Sequence, residues 1–196
     1  MTTVVYSNGI LAADKKSIKR GKTSDCEHCA KKTQVFRTNT SKIILGTGFK
    51  FNDETVIAIG HAGNRADALA LKKLIRLNFD LAKAFQAYYL LNGGSSLNAS
   101  LLIVTKNAVY VVNVGSEENI KITTFSRNDD VAIGSGAKVA GYVLNYQNVT
   151  ALNAIAETST VDKSTGGGID YVNCNEIKPK FIKSTTLKDH LLDKEK

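Results

Sequence analysis

The sequence predicts an α+β fold in which antiparallel sheets carry helices layered on them, and two observations lead there. Strand-like runs come in hairpin pairs around turn dipeptides, and helix-like stretches are segregated from them instead of alternating strand by strand. With no internal repeat and no linker-like composition, one domain over residues 2–182 with a charged C-terminal tail over 183–196 is the economical organisation.

The elements follow in order. Thr2-Thr3-Val4-Val5-Tyr6 is β-branched and aromatic and reads as a strand. Asn8-Gly9 then gives the strongest short hairpin signal, because both turn residues must take positive φ, and Ile10–Ala13 is the return strand, ending at Asp14. The extreme N-terminus therefore begins a buried hairpin, whereas chain ends normally dangle unless tied down. Residues 15–41 are polar and carry no clear pattern. A second hairpin joins Lys42–Phe51 to Glu54–Ala62 around Asn52-Asp53. After Gly63 the period changes: Leu71, Leu74, Leu77, Leu81, Phe85 and Tyr88 recur at three- or four-residue steps, predicting an amphipathic helix from Asp67 to Leu91, stopped by Asn92-Gly93-Gly94. Strands resume at Ser100–Thr105 and Ala108–Val114, with a further one over Lys121–Phe125 and another over Val131–Ile133. Gly134-Ser135-Gly136 leads into a helix from Ala137 to Tyr146, a second helical stretch covers Val149–Glu157, and Ile169–Val172 is a closing strand after Thr165-Gly166-Gly167-Gly168. The 14 residues from 183 on are mostly polar and read as a frayed end or a short terminal helix.

Composition narrows the function classes. The chain has 196 residues, 43% hydrophobic and 22% charged, ordinary for a globular protein with a sizeable core. No run approaches the ~18 apolar residues needed to span a bilayer, and no basic segment followed by an apolar one opens the chain, so a cytoplasmic location is the default expectation. The net charge of +8 is concentrated in residues 15–50 and 178–196, but these stretches carry neither a recognition-helix pattern nor interleaved aromatics. A solvated surface, or a charged rim for a partner, is therefore expected in place of specific nucleic-acid binding. Cys26, Cys29 and Cys174 cannot all pair with one another, which argues against a disulfide scaffold. Cys26-x-x-Cys29 around His28 lacks a second Cys/His pair at zinc-finger spacing, so no metal is expected there.

For the chemistry, a serine or threonine hydroxyl needs a base. The three histidines, His28, His61 and His190, lie in no recognisable triad motif, and no Gly-x-Ser-x-Gly elbow occurs. Threonine has another route. Its own α-amino group titrates at about 7.7–8.0 and can take the hydroxyl proton when threonine is the first residue. Thr2 follows Met1 directly, and an initiator methionine before a small side chain is commonly trimmed, so the expectation is that Met1 is removed and no propeptide is needed.

These residues carry a resemblance. Thr2-Thr3-Val4-Val5-Tyr6 followed by Asn8-Gly9-Ile10-Leu11-Ala12-Ala13-Asp14 resembles the opening of proteasome β-type subunits, and is similar above all to the compact proteasome-like proteins of phages and bacteria, including those of the HslV kind. Ala62-Gly63-Asn64-Arg65-Ala66-Asp67-Ala68 resembles the segment that opens the family's first long helix. Ala132-Ile133-Gly134-Ser135-Gly136 resembles its Gly-Ser-Gly turn, and Asp162-Lys163-Ser164-Thr165-Gly166-Gly167 its Asp-x-x-Ser-Gly-Gly motif, with Thr165 in the serine position. The similarity spans residues 2–173, and four motifs in family order make a more specific signal than any one of them.

The resemblance implies a four-layer αββα N-terminal-nucleophile hydrolase sandwich and a threonine-type endopeptidase that works in an oligomeric ring on peptides or unfolded proteins. It implies neither a cofactor nor a metal. Thr2 would supply the attacking Oγ and the general base, Asp14 would orient a catalytic lysine, the Gly63 N–H would form the oxyanion hole, and Ser135, Asp162 and Thr165 would support the terminal amine. For the lysine, Lys32 stands at the more family-like distance from Asp14, while Lys42 begins the strand whose partner carries Gly63 and, with the hairpin centred on Asn52-Asp53, pairs with about Gly63. Strand pairing favours Lys42, with Lys32 as the alternative. Asn64, Arg65 and Thr23–Cys26 are candidate pocket walls, Arg65 reading better as an exposed first-turn residue. No Gly-x-x-x-x-Gly-Lys-Ser/Thr loop occurs, so an ATP-dependent unfoldase would be a separate protein. For a phage-encoded protein the compartment would be the host cytoplasm. Two other readings stay open: a catalytically silent proteasome-like scaffold, and an amidase of the same class acting on a small substrate.

Overall fold

The computed structural model describes residues 2–22, 33–46, 50–78, 90, 99–114, 120–176 and 178–191. Two antiparallel sheets face each other. The first runs β11 (Val131–Gly134), β1 (Thr3–Ser7), β2 (Ile10–Asp14), β12 (Ile169–Asn173) and β13 (Lys183–Thr185). The second runs β10 (Ile120–Ser126), β9 (Ala108–Val114), β8 (Ala99–Thr105), β7 (Glu54–Gly63) and β5 (Ile43–Leu45), with the short β6 (Lys50–Phe51) also on β7.

Strand alternation builds the layers, because successive side chains point to opposite faces. Val4 and Tyr6 of β1 pack between the sheets with Leu102, Val104, Val109 and Val111 of the second sheet. Val5 points the other way, onto a cluster with Ala140, Leu144 and Ile155 from α2 (Ala137–Gln147) and α3 (Ala151–Val161). In the second sheet Leu101, Ile103, Tyr110 and Val112 turn outward with Leu71 of α1 (Arg65–Asn78). Helix, sheet, sheet and helices therefore stack in that order. Both faces of the central strands are covered, which is why these strands read as nearly continuous apolar runs instead of alternating with polar residues.

Several expectations are refined. Asn8 and Gly9 take φ of 49° and 78°, and Asn52 and Asp53 take 49° and 63°, so both turns form where the sequence puts them. The run Lys42–Phe51 is not one strand. β6 pairs with β7 in the expected register, Lys50 opposite Thr55 and Phe51 opposite Glu54, but β5 pairs Leu45 with Ala58 and Ile43 with Gly60, so two extra residues lie on the β5–β6 side between Leu45 and Lys50. Two residues of register are lost, so Lys42 lies opposite His61, whose N–H reaches the Lys42 carbonyl at 3.0 Å, and not opposite Gly63. Part of the unpatterned stretch 15–41 is a hairpin ribbon, β3 (Lys16–Lys22) with β4 (Thr33–Asn39), paired with neither main sheet. Lys183–Thr185, inside the stretch read from its charge as a tail, adds an edge strand to β12, followed by a 3₁₀ turn at Lys188–His190. The first long helix starts at Arg65, two residues before its expected start, with the Asn64 side chain accepting from the Ala66 N–H at 2.9 Å. Residues 79–89, on which the expected second half of that helix falls, lie outside the described residues. No described helix is long and apolar enough to cross a membrane.

Candidate active site

Thr2 sits just ahead of β1, the strand held between β11 and β2, and is only 5% exposed. The edge placement common for a chain end is thus replaced by attachment to a strand that has partners on both sides, Thr3 opposite Gly134 and Val4 opposite Ala13. The loop after β11 closes over it. Gly134 has φ of 96°, and a Cβ there would stand 2.0 Å from the Thr2 carbonyl oxygen. At Gly136 a Cβ would meet Thr3 Oγ1 at 2.2 Å. The Gly-Ser-Gly turn is therefore set by contact: only residues without side chains let Ser135 approach this closely.

On one side of Thr2 lies a buried ion pair. Asp14, at the end of β2 and 0% exposed, accepts from Lys42 Nζ at 2.7 Å and from the Thr3 N–H at 2.8 Å on Oδ1. Its Oδ2 accepts from the Lys16 and Gly166 N–H groups, each at 3.2 Å. Lys42 Nζ makes a second bond, to the Lys16 carbonyl at 2.7 Å. Burial pushes the Asp14 carboxyl above its ordinary value, opposed by the charge and hydrogen bond of Lys42 and by the Thr3 and Gly166 N–H groups. Burial likewise pushes the Lys42 ammonium below its ordinary value, opposed by Asp14. Desolvation dominates for both partners, so this lysine gives up its proton more readily than a surface lysine.

On the other side is a network of hydroxyls around one carboxylate. The Thr2 nitrogen donates to Ser135 Oγ at 3.2 Å, and Ser135 Oγ lies 3.0 Å from Ser164 Oγ. Asp162 accepts from the Ser164 N–H at 2.9 Å, the Ser164 hydroxyl at 2.5 Å, Thr165 Oγ1 at 3.0 Å and Ser135 Oγ at 3.4 Å. Thr165 Oγ1 also lies 2.6 Å from Thr3 Oγ1, which links this network to the strand that carries Thr2. Partial burial pushes the Asp162 carboxyl up, but the bonds from Ser164, Thr165 and Ser135 outweigh it and hold Asp162 below the usual carboxylate range.

Thr2, Gly63 and Ser135 share a cavity of ≈ 630 Å³ with Asn64, Ser100 and Asn113. Gly63, at the end of β7 with φ of 100°, stands at the rim. The structure thus brings Thr2, Asp14, Lys42, Gly63, Ser135, Asp162 and Thr165 into one neighbourhood, and Asn64 lines the cavity. Lys32, Thr23–Cys26, His28 and Cys29 lie outside the described residues, as does the Arg65 side chain. Cys174, the residue after β12, is buried in the inter-sheet core, and desolvation pushes its thiol up to about 12. Three contributors are missing from the sequence reading: Thr3, Lys16 and Ser164. Ser164 had a local signal, since Asp followed two residues later by a serine N–H is an Asx turn. Thr3 and the Lys16 carbonyl had none, because their roles depend on long-range pairing.

No protein-family model and no curated protein sequence matches the chain. Solved structures do. A Thiobacillus denitrificans protein, BPH in complex with epoxomicin, superposes with a TM-score of 0.53 at 16% identity, over 93% of this chain and 97% of that one. Anbu, the ancestral β-subunit from Yersinia bercovieri, superposes with a TM-score of 0.55 at 13% identity, over 95% of this chain and 87% of that one. The fold is that of the proteasome-type N-terminal-nucleophile hydrolases. At such identities it is the fold that is shared, and it spans nearly the whole chain.

Proposed function

We propose that the protein is a threonine-type endopeptidase whose nucleophile is Thr2, freed by removal of Met1. The observation that carries this reading is the position of Thr2 between a buried Asp14–Lys42 pair and the Ser135–Asp162–Thr165 network, at the mouth of a cavity rimmed by Gly63.

With Met1 gone, the Thr2 nitrogen becomes an α-amine. Ser135 Oγ, 3.2 Å away, orients it, and Asp162 fixes the serine in turn. The amine takes the proton from Thr2 Oγ as that oxygen attacks a peptide carbonyl, then gives it to the departing amine of the product. The positive charge of Lys42, held by Asp14, favours the alkoxide character that develops on Oγ. The Gly63 N–H receives the negative charge of the tetrahedral oxygen, an interaction of the kind worth about 3 kcal/mol in a preorganised site. Water then hydrolyses the acyl-threonine ester. The shared fold with a protein named as a β-subunit supports action as a subunit of a homo-oligomeric ring, and because these residues hold no Gly-x-x-x-x-Gly-Lys-Ser/Thr loop, unfolding of folded substrates is assigned to a separate ATP-driven protein.

Epoxomicin, bound to the similar Thiobacillus denitrificans protein, is the natural probe. An epoxyketone bridges a threonine hydroxyl and a free α-amine, so it reports both. Intact-mass measurement is expected to show loss of Met1 and one epoxomicin adduct per chain, located on Thr2 by peptide mapping and absent in Thr2→Ala. Retained Met1, or a trimmed chain that never forms the adduct, would replace this reading with that of a silent scaffold.

A further inference from the structure

The cavity beside Thr2 has a composition of its own. Along the inter-sheet face of β8 the residues run Val104, Leu102, Ser100, and along the same face of β9 they run Val109, Val111, Asn113. Both rows are apolar until the position where the inter-sheet space opens onto Thr2, and there both turn polar. Ser100 and Asn113 are direct cross-strand partners, and the Ser100 hydroxyl donates to Asn113 Oδ1 at 2.7 Å. That bond fixes the orientation of the amide. The Nδ2 group of Asn113 bonds to no described residue, which leaves two N–H donors at an exposed wall of the cavity. The remaining surface includes the apolar Ala62 and Ile133, and no charged side chain is among the described lining residues.

We infer that this wall is a subsite for an uncharged hydrogen-bonding side chain, a glutamine or asparagine, on the substrate residue next to the scissile bond. The inference rests on the peptidase reading above for its location relative to the cut. The chemistry of the wall selects among three isosteres. A glutamine offers its carbonyl to the Asn113 donors and its methylenes to Ala62 and Ile133. A glutamate brings a charge that loses water and meets no charged side chain among the described lining residues. A methionine fits the volume but leaves the amide donors unpaired, and an unpaired donor costs more than a missing bond gains. A cavity of ≈ 630 Å³ accommodates such a side chain together with flanking backbone.

The test is a set of otherwise identical peptides carrying Gln, Glu or Met at each residue flanking the bond. Cleavage by the trimmed wild-type protein and binding by Thr2→Ala, read as fluorescence anisotropy of labelled peptides, are measured in parallel. At one flanking position, Gln is expected to exceed both isosteres by about tenfold in kcat/KM and in affinity, as for one well-made hydrogen bond. Asn113→Leu is expected to reverse the order of Gln and Met, and Ser100→Ala, which releases the amide and removes one wall hydroxyl, to flatten it. Equal treatment of the three peptides in both assays, or an unchanged order in Asn113→Leu, overturns the inference even when cleavage is robust. Absence of cleavage with Gln-selective binding retained would sink the peptidase reading and keep the subsite.

Discussion

Asp14 and Asp162 flank the same threonine, yet their surroundings push the two carboxyls in opposite directions. Asp14 is fully buried and has four donors, one of them a charged lysine, but the loss of water still raises its proton affinity. Asp162 is half-buried and has only neutral donors, yet its proton affinity falls. The difference shows that the number of hydrogen bonds does not set the charge state by itself; the remaining access to water decides whether those bonds win. On the peptidase reading proposed above, the buried side is suited to hold a cation next to the nucleophile, and the half-buried side to hold an amine in place while protons move.

The comparison breaks most sharply at Lys42. Lys42→Met leaves Asp14 buried without its cation and is expected to cost about 3–5 kcal/mol of stability in chemical denaturation, with loss of the epoxomicin adduct. Adding Asp14→Asn to that variant removes the unpaired charge, so part of the stability returns while the reactivity does not. If Lys42→Met reacts normally and Lys32→Met does not, the lysine role passes to Lys32.

On the other side, Gly134→Ala tests positioning without touching charge. Its φ of 96° and the 2.0 Å approach to the Thr2 carbonyl mean that β11 or Thr2 must move. The expected outcome is an adduct rate lower by about a hundredfold, as for displacement of a reacting group by about 1 Å, with a stability loss of about 1–3 kcal/mol. A folded Gly134→Ala protein with wild-type adduct kinetics would show that Ser135 does not seat the amine.

The smallest effect concerns acid stability. The folded Asp162 carboxyl lies below its ordinary value of 3.8, so its contribution is present above that pH and is lost as the pH falls through 3.8 toward the folded value. Tm of the wild type and of Asp162→Asn should therefore differ near neutrality and converge below pH 3.8. A difference that widens on acidification would contradict the sign of this shift.

Much of this arrangement was legible in the sequence because it rests on local rules. Asn8-Gly9 and Asn52-Asp53 fix two hairpins through backbone conformation alone, and the apolar strands announce sheets covered on both faces. Lys42 was reachable by counting back from a turn, although the count was two residues off, since the two extra residues between Leu45 and Lys50 leave no trace in hydrophobic pattern. The β3–β4 ribbon was not legible: its strands pair with each other and with neither main sheet, and Lys16–Lys22 carries Ile18 alone among polar residues and glycine, so the sequence shows no alternation there. Thr3, whose N–H and hydroxyl tie Asp14 to Thr165, looked like any other strand residue.

The seat of Thr2 sets an order of events during synthesis. β1 pairs with β11, whose residues 131–134 emerge from the ribosome long after Met1. Until then the first residues have only β2 as a sheet neighbour; in the folded chain Thr2 is 5% exposed. On the peptidase reading proposed above, whatever precedes Thr2 is best removed before β11 seats beside it, and the same delay keeps the site unassembled until residues 131–134 are made.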